Sequence, residues 1–334
     1  MIEINGSSGG GQMLRTALSL SAVTGKKFRM KNIRGNRSNP GLKRQHLEAV
    51  KTVKRLCKGE VEGMEMKSDE LVFRPGELSS EPFSANIGTA GSITLLYDAV
   101  LPVTTQFSDP FRLTAKGGTD VKWSPTYAYF REVKLPLLQR FGMEADTELG
   151  KTGYYPKGGG EAELRTEQYS LNPVKLTERG ELQKFEIYSK ASRELESQKV
   201  ADRQADEAEK LLKNSHMSLP VEKSVEYERT ASPGSSLTVK TVYENSVAGF
   251  DALGERGKRS EQVAQEAVQD FKKFHSTEAA VDRNMADQLM VFLAVAGGEV
   301  SIPKVTDHME TNLEVIRSFG LDISLDSGRI RMKK

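Results

Sequence analysis

The order of sequence features recurs three times along this 334-residue chain, and the recurrence constrains the fold more than any other feature. In residues 1–76, 84–164 and 277–334, an apolar helix is followed by a strand pattern, a polar loop, an amphipathic helix and short strands. Helices and sheets each bury an apolar face, so such stretches stack in layers around a core. We therefore predict an α+β fold of three repeated βαβα-plus-strands units. Chance alternation is the competing interpretation.

Between the second and third stretches the chain becomes strongly charged, and residues 184–275 interrupt the pattern. This segment combines alternating strand patterns with amphipathic helices over Glu194–Asn214 and Ser260–Phe274. Its own strands and helices predict a small α/β domain that is inserted into a larger one. The larger domain then consists of residues 1–183 and 276–334.

The composition excludes several classes of protein. No apolar run approaches the roughly 20 residues that a membrane-spanning helix needs. Cys57 is the only cysteine, which excludes disulfide frameworks and cysteine-based zinc sites within one chain. The segment Met1–Asn5 lacks the basic and apolar regions of a signal peptide, so a cytoplasmic location is expected. The net charge of +2, from 48 basic and 46 acidic residues, indicates nothing by itself about nucleic-acid binding.

Two loops have the composition of phosphate-binding segments. Gly9–Gly11 precedes the first apolar helix, where backbone N–H groups at a helix start bind anions. No Gly-Lys-Ser/Thr sequence follows it, so the loop is not a P-loop. Arg34 and Arg37 flank Pro40-Gly41 ahead of the second helix, and guanidinium groups bind phosphate oxygens in pairs. A simple turn and a solvated charged loop are the competing interpretations.

A third loop, Gly117–Asp120, occupies the corresponding position in the second stretch and precedes a helix predicted from about Thr126 to Phe141. Aromatic residues that follow it would offer faces for base stacking. They are Trp123, Tyr127, Tyr129 and Phe130. Packing in the core is the competing interpretation, and we expect it for at least two of these four residues.

His308 occupies the corresponding position in the third stretch, where a helix is predicted to begin. If the three loops meet at one end of the molecule, His308 faces the arginines and the glycine loop. A neutral imidazole nitrogen can attack the α-phosphorus of a nucleotide and form a phosphoramidate. The sequence therefore predicts a nucleophile that carries a nucleotide covalently, with Asp307 or another acid orienting the ring. A structural histidine is the competing interpretation.

Collinear motifs extend over nearly the whole chain. They are Gly9–Thr16, Ala17–Ser21, Ile33–Arg37, Pro40–Leu42, Gln45-His46, Gly88–Ser92, Gly117–Asp120, Gly153–Pro156, Gly158–Gly160, Ala286–Gln288, His308 and Thr311-Asn312. In these motifs the chain resembles the RNA 3′-terminal phosphate cyclases. The resemblance implies a three-unit domain related to the enolpyruvyl transferases, with a smaller α/β domain inserted.

The resemblance also implies a reaction, its cofactors and its partner. In this family ATP adenylates a histidine, and AMP then passes to the 3′-phosphate of an RNA. The neighbouring 2′-hydroxyl displaces AMP and leaves a 2′,3′-cyclic phosphate. A divalent metal, Mg or Mn, assists the nucleotide step. The physiological RNA and the oligomeric state are not implied.

Residue by residue, the resemblance implies that His308 is the adenylated nucleophile. The positions it implies for the nucleotide are Gln12, Arg15, Tyr97, Asn284, Met285, Ala286, Asp287 and Gln288. Those it implies for the RNA substrate are Arg34, Arg37 and Gln45. Tyr97 and Asn284 depart from the family, which usually has a glutamine and an aromatic residue there. The metal ligands stay unassigned, because the first loop lacks the glutamate that the family usually carries.

Two other functions compete with this assignment. A non-catalytic branch of the family acts in ribosome assembly as an RNA-binding protein, but it lacks the nucleophilic histidine that His308 supplies here. An enolpyruvyl transferase shares the fold class, but this chain carries the cyclase motifs and is short for two full three-unit domains. We therefore favour an enzyme of the ligase class.

Overall fold

The computed structural model describes residues 1–214, 218–326 and 328–332. The first group of elements is β1 (Ile2–Asn5), α1 (Gly11–Thr24), β2 (Phe28–Lys31), α2 (Arg44–Leu56), β3 (Glu60–Glu62) and β4 (Leu71–Arg74). The second group is β5 (Phe83–Asn86), α3 (Ile93–Thr104), β6 (Phe111–Gly117), α4 (Tyr127–Tyr129), a π-helical segment (Phe130–Lys134), α5 (Leu135–Arg140), β7 (Ala145–Lys151) and β8 (Gly160–Thr166).

The remaining elements belong to the charged segment and to the third group. After β9 (Val174–Leu176), the charged segment contains β10 (Leu182–Ser192), a 3₁₀ segment (Arg193–Gln198), α6 (Val200–Lys213), β11 (Val221–Glu228), β12 (Ser235–Tyr243), β13 (Val247–Leu253) and α7 (Ser260–His275). The third group, which begins with β9, continues with α8 (Arg283–Ala296), β14 (Gly298–Ser301), α9 (Asp307–Ser318), β15 (Ile323–Asp326) and β16 (Arg329–Met332).

Three four-stranded sheets have the same pairing pattern. Their strand orders are β1-β2-β4-β3, β5-β6-β8-β7 and β9-β14-β16-β15. In each sheet the first two strands are parallel, as in Ile2↔Phe28, and the other pairs are antiparallel. Parallel neighbours need a crossover connection, which contains α1, α3 or α8. The loops after the second strand are therefore topologically equivalent in the three groups. After the first strand, a short loop leads to the helix in the first two groups, whereas the charged segment intervenes in the third.

The first helix of each group lies in the interior. α3 packs against both α1 and α8, and Leu18, Val100 and Leu293 of these helices are fully buried. α2 and α9 flank α1 and are amphipathic, so each keeps one polar side exposed. The mixed α+β class is confirmed. Among the described residues, no helix combines the length and the apolar character that crossing a bilayer requires.

The helix predicted from Thr126 to Phe141 is not regular throughout. A π-helical segment separates α4 from α5. Pro136 lies in the first turn of α5 and has no N–H, so the regular hydrogen bond to the preceding turn cannot form there. π-helical segments are common at functional positions. This one carries Lys134, whose side chain is only 1% exposed.

The charged segment has its own sheet and its own core. Its strand order is β11-β10-β12-β13, and α6 and α7 pack against this sheet and against each other. Phe185, Leu237 and Phe271 lie in an apolar cluster that is separate from the core of the three groups. Arg179 donates hydrogen bonds to the carbonyl oxygens of His275 at 2.9 Å and Ala279 at 3.2 Å. This arginine therefore joins the two points where the chain enters and leaves the charged segment.

Candidate active site

His308 lies in the first turn of α9 and exposes 57% of its side chain. Thr306 caps this helix, because its Oγ1 accepts a hydrogen bond from the N–H of Met309 at 3.3 Å. The cap fixes where the helix starts and thereby the position of the histidine. The imidazole is accessible to a ligand.

The acid that faces His308 is Asp287 of α8. Its Oδ2 lies 3.9 Å from His308 Nδ1. This distance is too long for a direct hydrogen bond, but it places a carboxylate beside one ring nitrogen. The other nitrogen, Nε2, forms no hydrogen bond within the part of the chain that the structure describes. Asp307, the acid named from the sequence, is exposed and forms no ion pair with the ring there.

Two hydrogen bonds in series hold Asp287 in place. Asn312 Nδ2 donates to Asp287 Oδ1 at 2.7 Å, and Thr16 Oγ1 donates to Asn312 Oδ1 at 3.0 Å. Burial raises the pKa of Asp287, whereas His308 and the bond from Asn312 lower it. Thr16, in the first helix of the chain, thus helps to position the carboxylate of Asp287, which lies near the C-terminal end of the sequence.

The polar face of α1 lines the same site. Four polar residues recur at helical spacing on one side of this mainly apolar helix, namely Gln12, Arg15, Thr16 and Ser19. Gln12 Nε2 donates to Thr311 Oγ1 at 3.2 Å. Burial lowers the pKa of Arg15, and the charges of Asp98 and Asp287 oppose this effect. The Arg15 guanidinium forms neither a hydrogen bond nor an ion pair with any residue that the structure describes. Its N–H donors are therefore open to a phosphate.

A cavity of about 50 Å³ adjoins this polar face. It contains a buried ion pair between Lys134 of the π-helical segment and Asp98 of α3. Burial lowers the pKa of Lys134, and Asp98 opposes the shift. Gln288 also lines the cavity, and its Oε1 is buried without a hydrogen-bond partner in the described residues. Most of the residues that line the cavity are polar, and it has room for a water molecule, not for a nucleotide.

The glycine loop Gly9–Gly11 leads into α1, whose first turn has no acidic residue and no side-chain cap. Such a helix start favours an anion through its N–H groups and the helix dipole. A Cβ atom placed on Gly10 would lie 3.4 Å from Arg37 Nη2. One placed on Gly11 would lie only 2.5 Å from His46 Nε2, so the glycine leaves the space that this imidazole fills.

His46 is a buried neighbour of the glycine loop that sequence reasoning did not assign to the site. It is 8% exposed, and its Nδ1 accepts a hydrogen bond from the N–H of Lys43 at 3.1 Å. Burial and the charges of Arg15, Arg34 and Lys43 lower the pKa of His46 to about 3. The ring is therefore neutral near pH 7, and with Nδ1 as an acceptor its proton lies on Nε2, toward Gly11.

Arg34 and Gln45 stabilise loops with their side chains. Arg34 has a φ angle of 57°, and its Nη1 donates to the carbonyl oxygens of Asn39 at 2.6 Å and Gly41 at 2.9 Å. Burial and Arg37 lower the pKa of Arg34. Gln45 Oε1 accepts a hydrogen bond from the N–H of Ser92 at 3.1 Å, which fixes the loop before α3. Arg37, by contrast, is exposed beside the glycine loop.

Several predicted nucleotide-binding residues lie apart from the cavity. Tyr97 is fully buried, and its hydroxyl donates to the carbonyl oxygen of Ala162 at 2.7 Å. Met285 and Ala286 belong to the apolar core, and Asn284 is exposed at the start of α8. Successive side chains on a helix point about 100° apart, so neighbours of a cavity residue often face elsewhere.

Core packing is confirmed for three of the four aromatic residues that follow Gly117–Asp120. Tyr127, Tyr129 and Phe130 are buried, whereas Trp123 is 95% exposed. Only Trp123 therefore presents an open face.

Thr16 and Asn312 lie in motifs of the resemblance but were given no role, and Asp98 and Lys134 were not singled out from the sequence. Thr16 and Asn312 stand four residues after Gln12 and His308, so one turn of helix places each on the face of a predicted site residue. That spacing was a usable signal. Asp98 and Lys134 gave none, because their pairing depends on the packing of two separate helices.

ATP and a divalent metal require different donors from the protein. Arg15 and the start of α1 suit a triphosphate. Among the described residues, no group of three His, Cys, Asp or Glu side chains is arranged to hold a metal. The two cavity carboxylates are already engaged, Asp98 by Lys134 and Asp287 by Asn312. The residues therefore fit a nucleotide phosphate better than a metal held mainly by protein.

The sequence is similar to those of known proteins. A family model described as RNA 3'-terminal phosphate cyclase matches residues 7–324. A protein of that name from Halobacterium salinarum is 40% identical, over 98% of this chain and 97% of the relative. One from Saccharolobus islandicus is 43% identical and one from Saccharolobus solfataricus 42%, each over 98% of this chain and 96% of the relative.

Proposed function

Because the chain belongs to the RNA 3′-terminal phosphate cyclase family, we propose that it uses ATP to convert the 3′-phosphate of RNA into a 2′,3′-cyclic phosphate. The observation that carries this proposal is the placement of His308. Its imidazole is accessible and its Nδ1 faces Asp287. Its helix, α9, packs against α1, whose Arg15 guanidinium forms no ion pair with the residues that the structure describes.

In the proposed first step, His308 Nε2 attacks the α-phosphorus of ATP. A P–N bond forms, the bond to the bridging oxygen breaks, and pyrophosphate leaves. Asp287, beside Nδ1, stabilises the positive charge that develops on the ring. Arg15 and the N–H groups at the start of α1 bind the phosphate oxygens, whose charge they offset.

In the next two steps, AMP is transferred and then displaced. An oxygen of the RNA 3′-phosphate attacks the phosphorus of the bound AMP, and the P–N bond breaks to release the histidine. The 2′-hydroxyl then attacks the 3′-phosphorus, AMP leaves, and the cyclic phosphate remains. We assign Arg37 to the incoming RNA phosphate because it is exposed beside the glycine loop. Arg34 instead stabilises the loop that contains both arginines, through its hydrogen bonds to Asn39 and Gly41.

A divalent metal, if it takes part, would neutralise charge on the triphosphate. The donor set described above offers it few free protein ligands, so phosphate and water oxygens would supply most of its coordination.

We also propose that the three groups of elements are repeats of one unit, related to the enolpyruvyl transferases. The shared pairing pattern of the three sheets supports this. The separate sheet and core of the charged segment support a domain of residues 184–275 inserted between 1–183 and 276–334. A cytoplasmic location suits the proposed substrates, ATP and RNA.

Incubation with α-labelled ATP and a divalent metal, followed by denaturing electrophoresis, tests the nucleophile. Wild-type protein should acquire an acid-labile label, and His308→Ala should acquire none. Asp287→Asn should label about 100-fold more slowly, since it loses the charge beside Nδ1. Glu310→Gln, an exposed change in the same turn of α9, serves as the matched control and should label normally.

Equal labelling of His308→Ala and wild type would overturn the assignment. If no protein were labelled with ATP or GTP and either metal, the chain would instead belong with the non-catalytic, RNA-binding branch of the family.

A further inference from the structure

Several loops around the site carry basic residues and no acidic residue within their own segments. We call the surface that they form the basic strip and define it as residues 34–47, 86–92, 121–126, 150–160 and 229–235. Its basic residues are Arg34, Arg37, Lys43, Arg44, Lys122, Lys151, Lys157 and Arg229. Acidic residues directly flank several of these segments, namely Glu48, Asp120, Glu161 and Glu228, so the basic character belongs to the loops themselves.

The first two segments of the basic strip touch each other and the glycine loop. Arg37 lies against Gly10, as described above. Gln45 accepts the hydrogen bond from Ser92, and Arg44 lies next to it, with Nη1 3.3 Å from the place where a Cβ atom of Gly88 would be. The strip therefore begins at the proposed site for the RNA 3′-phosphate and continues along residues 86–92.

The strip continues from there onto the charged segment. Gly158 has a φ angle of 67°, and a Cβ atom on it would lie 2.9 Å from Ala90 Cα, so the two loops are in direct contact. The N–H of Lys157 donates to Ser232 Oγ at 3.2 Å, which joins this loop to residues 229–235. The N–H of Thr119 donates to the carbonyl oxygen of Gly153 at 2.9 Å, which places the start of residues 121–126 beside residues 150–160.

Most cations on the strip are available to a ligand. Lys122 pairs with Glu255 at 2.8 Å. The other basic residues of the strip form no ion pair within residues 1–214, 218–326 and 328–332. Arg37, Arg44, Lys157 and Arg229 are also exposed. Exposed cations without acidic partners attract a phosphate backbone.

Two exposed aromatic side chains stand on this surface. Trp123 is 95% exposed and Tyr155 is 74% exposed. Trp123 has a φ angle of 63°, a conformation that bulky residues adopt rarely and at a cost in free energy. Ser124 Oγ donates to the carbonyl oxygen of Val121 at 2.8 Å, and this bond and the Lys122–Glu255 pair brace the loop. The indole is thus held outward with both faces open.

We propose that the basic strip binds the single-stranded RNA that precedes the 3′-phosphate, with Trp123 and Tyr155 stacking on its bases. This inference rests on the proposed function, which supplies the RNA end at the site. Arg44, Lys157 and Arg229 contact successive phosphates. Free cations that follow a backbone, together with open aromatic faces, are the features by which proteins bind single strands without reading their sequence.

Trp123 is the only tryptophan in the chain, so its fluorescence reports on the strip in the wild-type protein. A 3′-phosphorylated single strand of about 15 nucleotides should quench this fluorescence as it binds. A fully paired duplex of the same sequence should quench it much less, because its bases are already stacked. Unchanged fluorescence at an RNA concentration that saturates binding, measured by anisotropy of a labelled strand, would overturn the proposal.

Substitutions give an independent test. Trp123→Ala should weaken binding of the long strand about tenfold, whereas Trp123→Phe, which keeps a stacking face, should bind nearly as wild type. Arg229→Ala should lower the slope of log affinity against log salt by about 0.7, the value for one lost contact to a single strand. Lys272→Ala, at an exposed cation of α7 outside the strip, is the matched control and should leave the slope unchanged.

The two proposals fail differently. Labelling of His308 by ATP reports on the proposed function and should be normal in Trp123→Ala. If His308 is labelled but RNA affinity is unchanged in both Trp123→Ala and Arg229→Ala, the RNA follows another path. If RNA quenches Trp123 but His308 is never labelled, the strip is upheld and the enzyme is not.

Discussion

At the residue scale, burial separates the roles of two histidines near the glycine loop. His308 is largely exposed and faces a carboxylate, so it can act on a ligand. His46 is buried among cations, which lower its pKa to about 3 and keep it neutral. Its Nδ1 completes the start of α2 by accepting the Lys43 N–H, and its Nε2 faces Gly11. One side chain is suited to chemistry and the other to shaping the loop.

The neutral state of His46 predicts a pH dependence of stability. The unfolded chain takes up a proton near pH 6.5, whereas the folded protein takes it up only near pH 3. The free energy of unfolding should therefore fall as the pH decreases between these values, by at most about 1.4 kcal/mol per pH unit from this group. His46→Gln should lose this contribution, while the Gln side chain can still accept the Lys43 N–H.

Urea unfolding of wild type and His46→Gln at pH 7.5 and pH 5 measures the effect. Other titrating groups are common to both proteins and cancel in the comparison. The stability of wild type should drop by about 1–2 kcal/mol more than that of the variant. Parallel pH profiles would mean that His46 is not held neutral in the folded protein.

At the element scale, helical spacing determines how much of the site was predictable. Arg15 and Asp287, which the family resemblance implied, are polar residues on mainly apolar helices, and both line the cavity. Gln45 and Tyr97 were predicted as ligand contacts, but Gln45 fixes a loop and Tyr97 packs in the core. A motif identifies a segment, whereas the direction of each side chain depends on what packs against it.

The buried pair of Asp98 and Lys134 shows why the remainder of the site was not predictable. Asp98 is in α3, and Lys134 is in a π-helical segment that the periodic pattern does not indicate. Their contact exists only after two helices have packed. Sequence periodicity predicts elements and their faces, and tertiary packing decides which polar groups meet.

The bond from α1 to α9 gives a prediction at this scale. Thr16→Val keeps the shape of the side chain but removes the hydroxyl that donates to Asn312 Oδ1. Stability should fall by about 1 kcal/mol. Labelling of His308 should slow several-fold, because Asn312 no longer holds Asp287 firmly.

Thr24→Val is the matched control, since its hydroxyl donates only to the carbonyl oxygen of Leu20 in the same helix. Urea unfolding and the rate of ATP labelling measure both effects. A Thr16→Val protein that is less stable but labels at the rate of Thr24→Val would show that the bond serves packing alone.

At the scale of the whole molecule, Asp282 connects the charged segment to the helix that carries Asp287. Its Oδ1 accepts hydrogen bonds from the Tyr129 hydroxyl at 2.8 Å and from the first N–H groups of α8. Its Oδ2 accepts from the N–H of Gly249 in β13 at 3.1 Å. Burial raises the pKa of Asp282, and these bonds lower it. One buried side chain thus fixes the start of α8 and the position of the neighbouring sheet.

Asp282→Asn should therefore affect both parts of the molecule. An amide can keep the Oδ1 contacts, but its N–H₂ group would face the N–H of Gly249, leaving two donors opposed in a buried place. We expect a loss of about 1–3 kcal/mol in stability and faster hydrogen exchange in β13. Tyr129→Phe removes one donor and leaves the Gly249 contact, so it should cost about 1 kcal/mol without the faster exchange. Hydrogen exchange, measured by mass spectrometry on both variants, tests whether Asp282 holds β13. Equal protection of β13 in the two variants would show that Asp282 only caps α8. The charged segment would then be held in place by its other contacts.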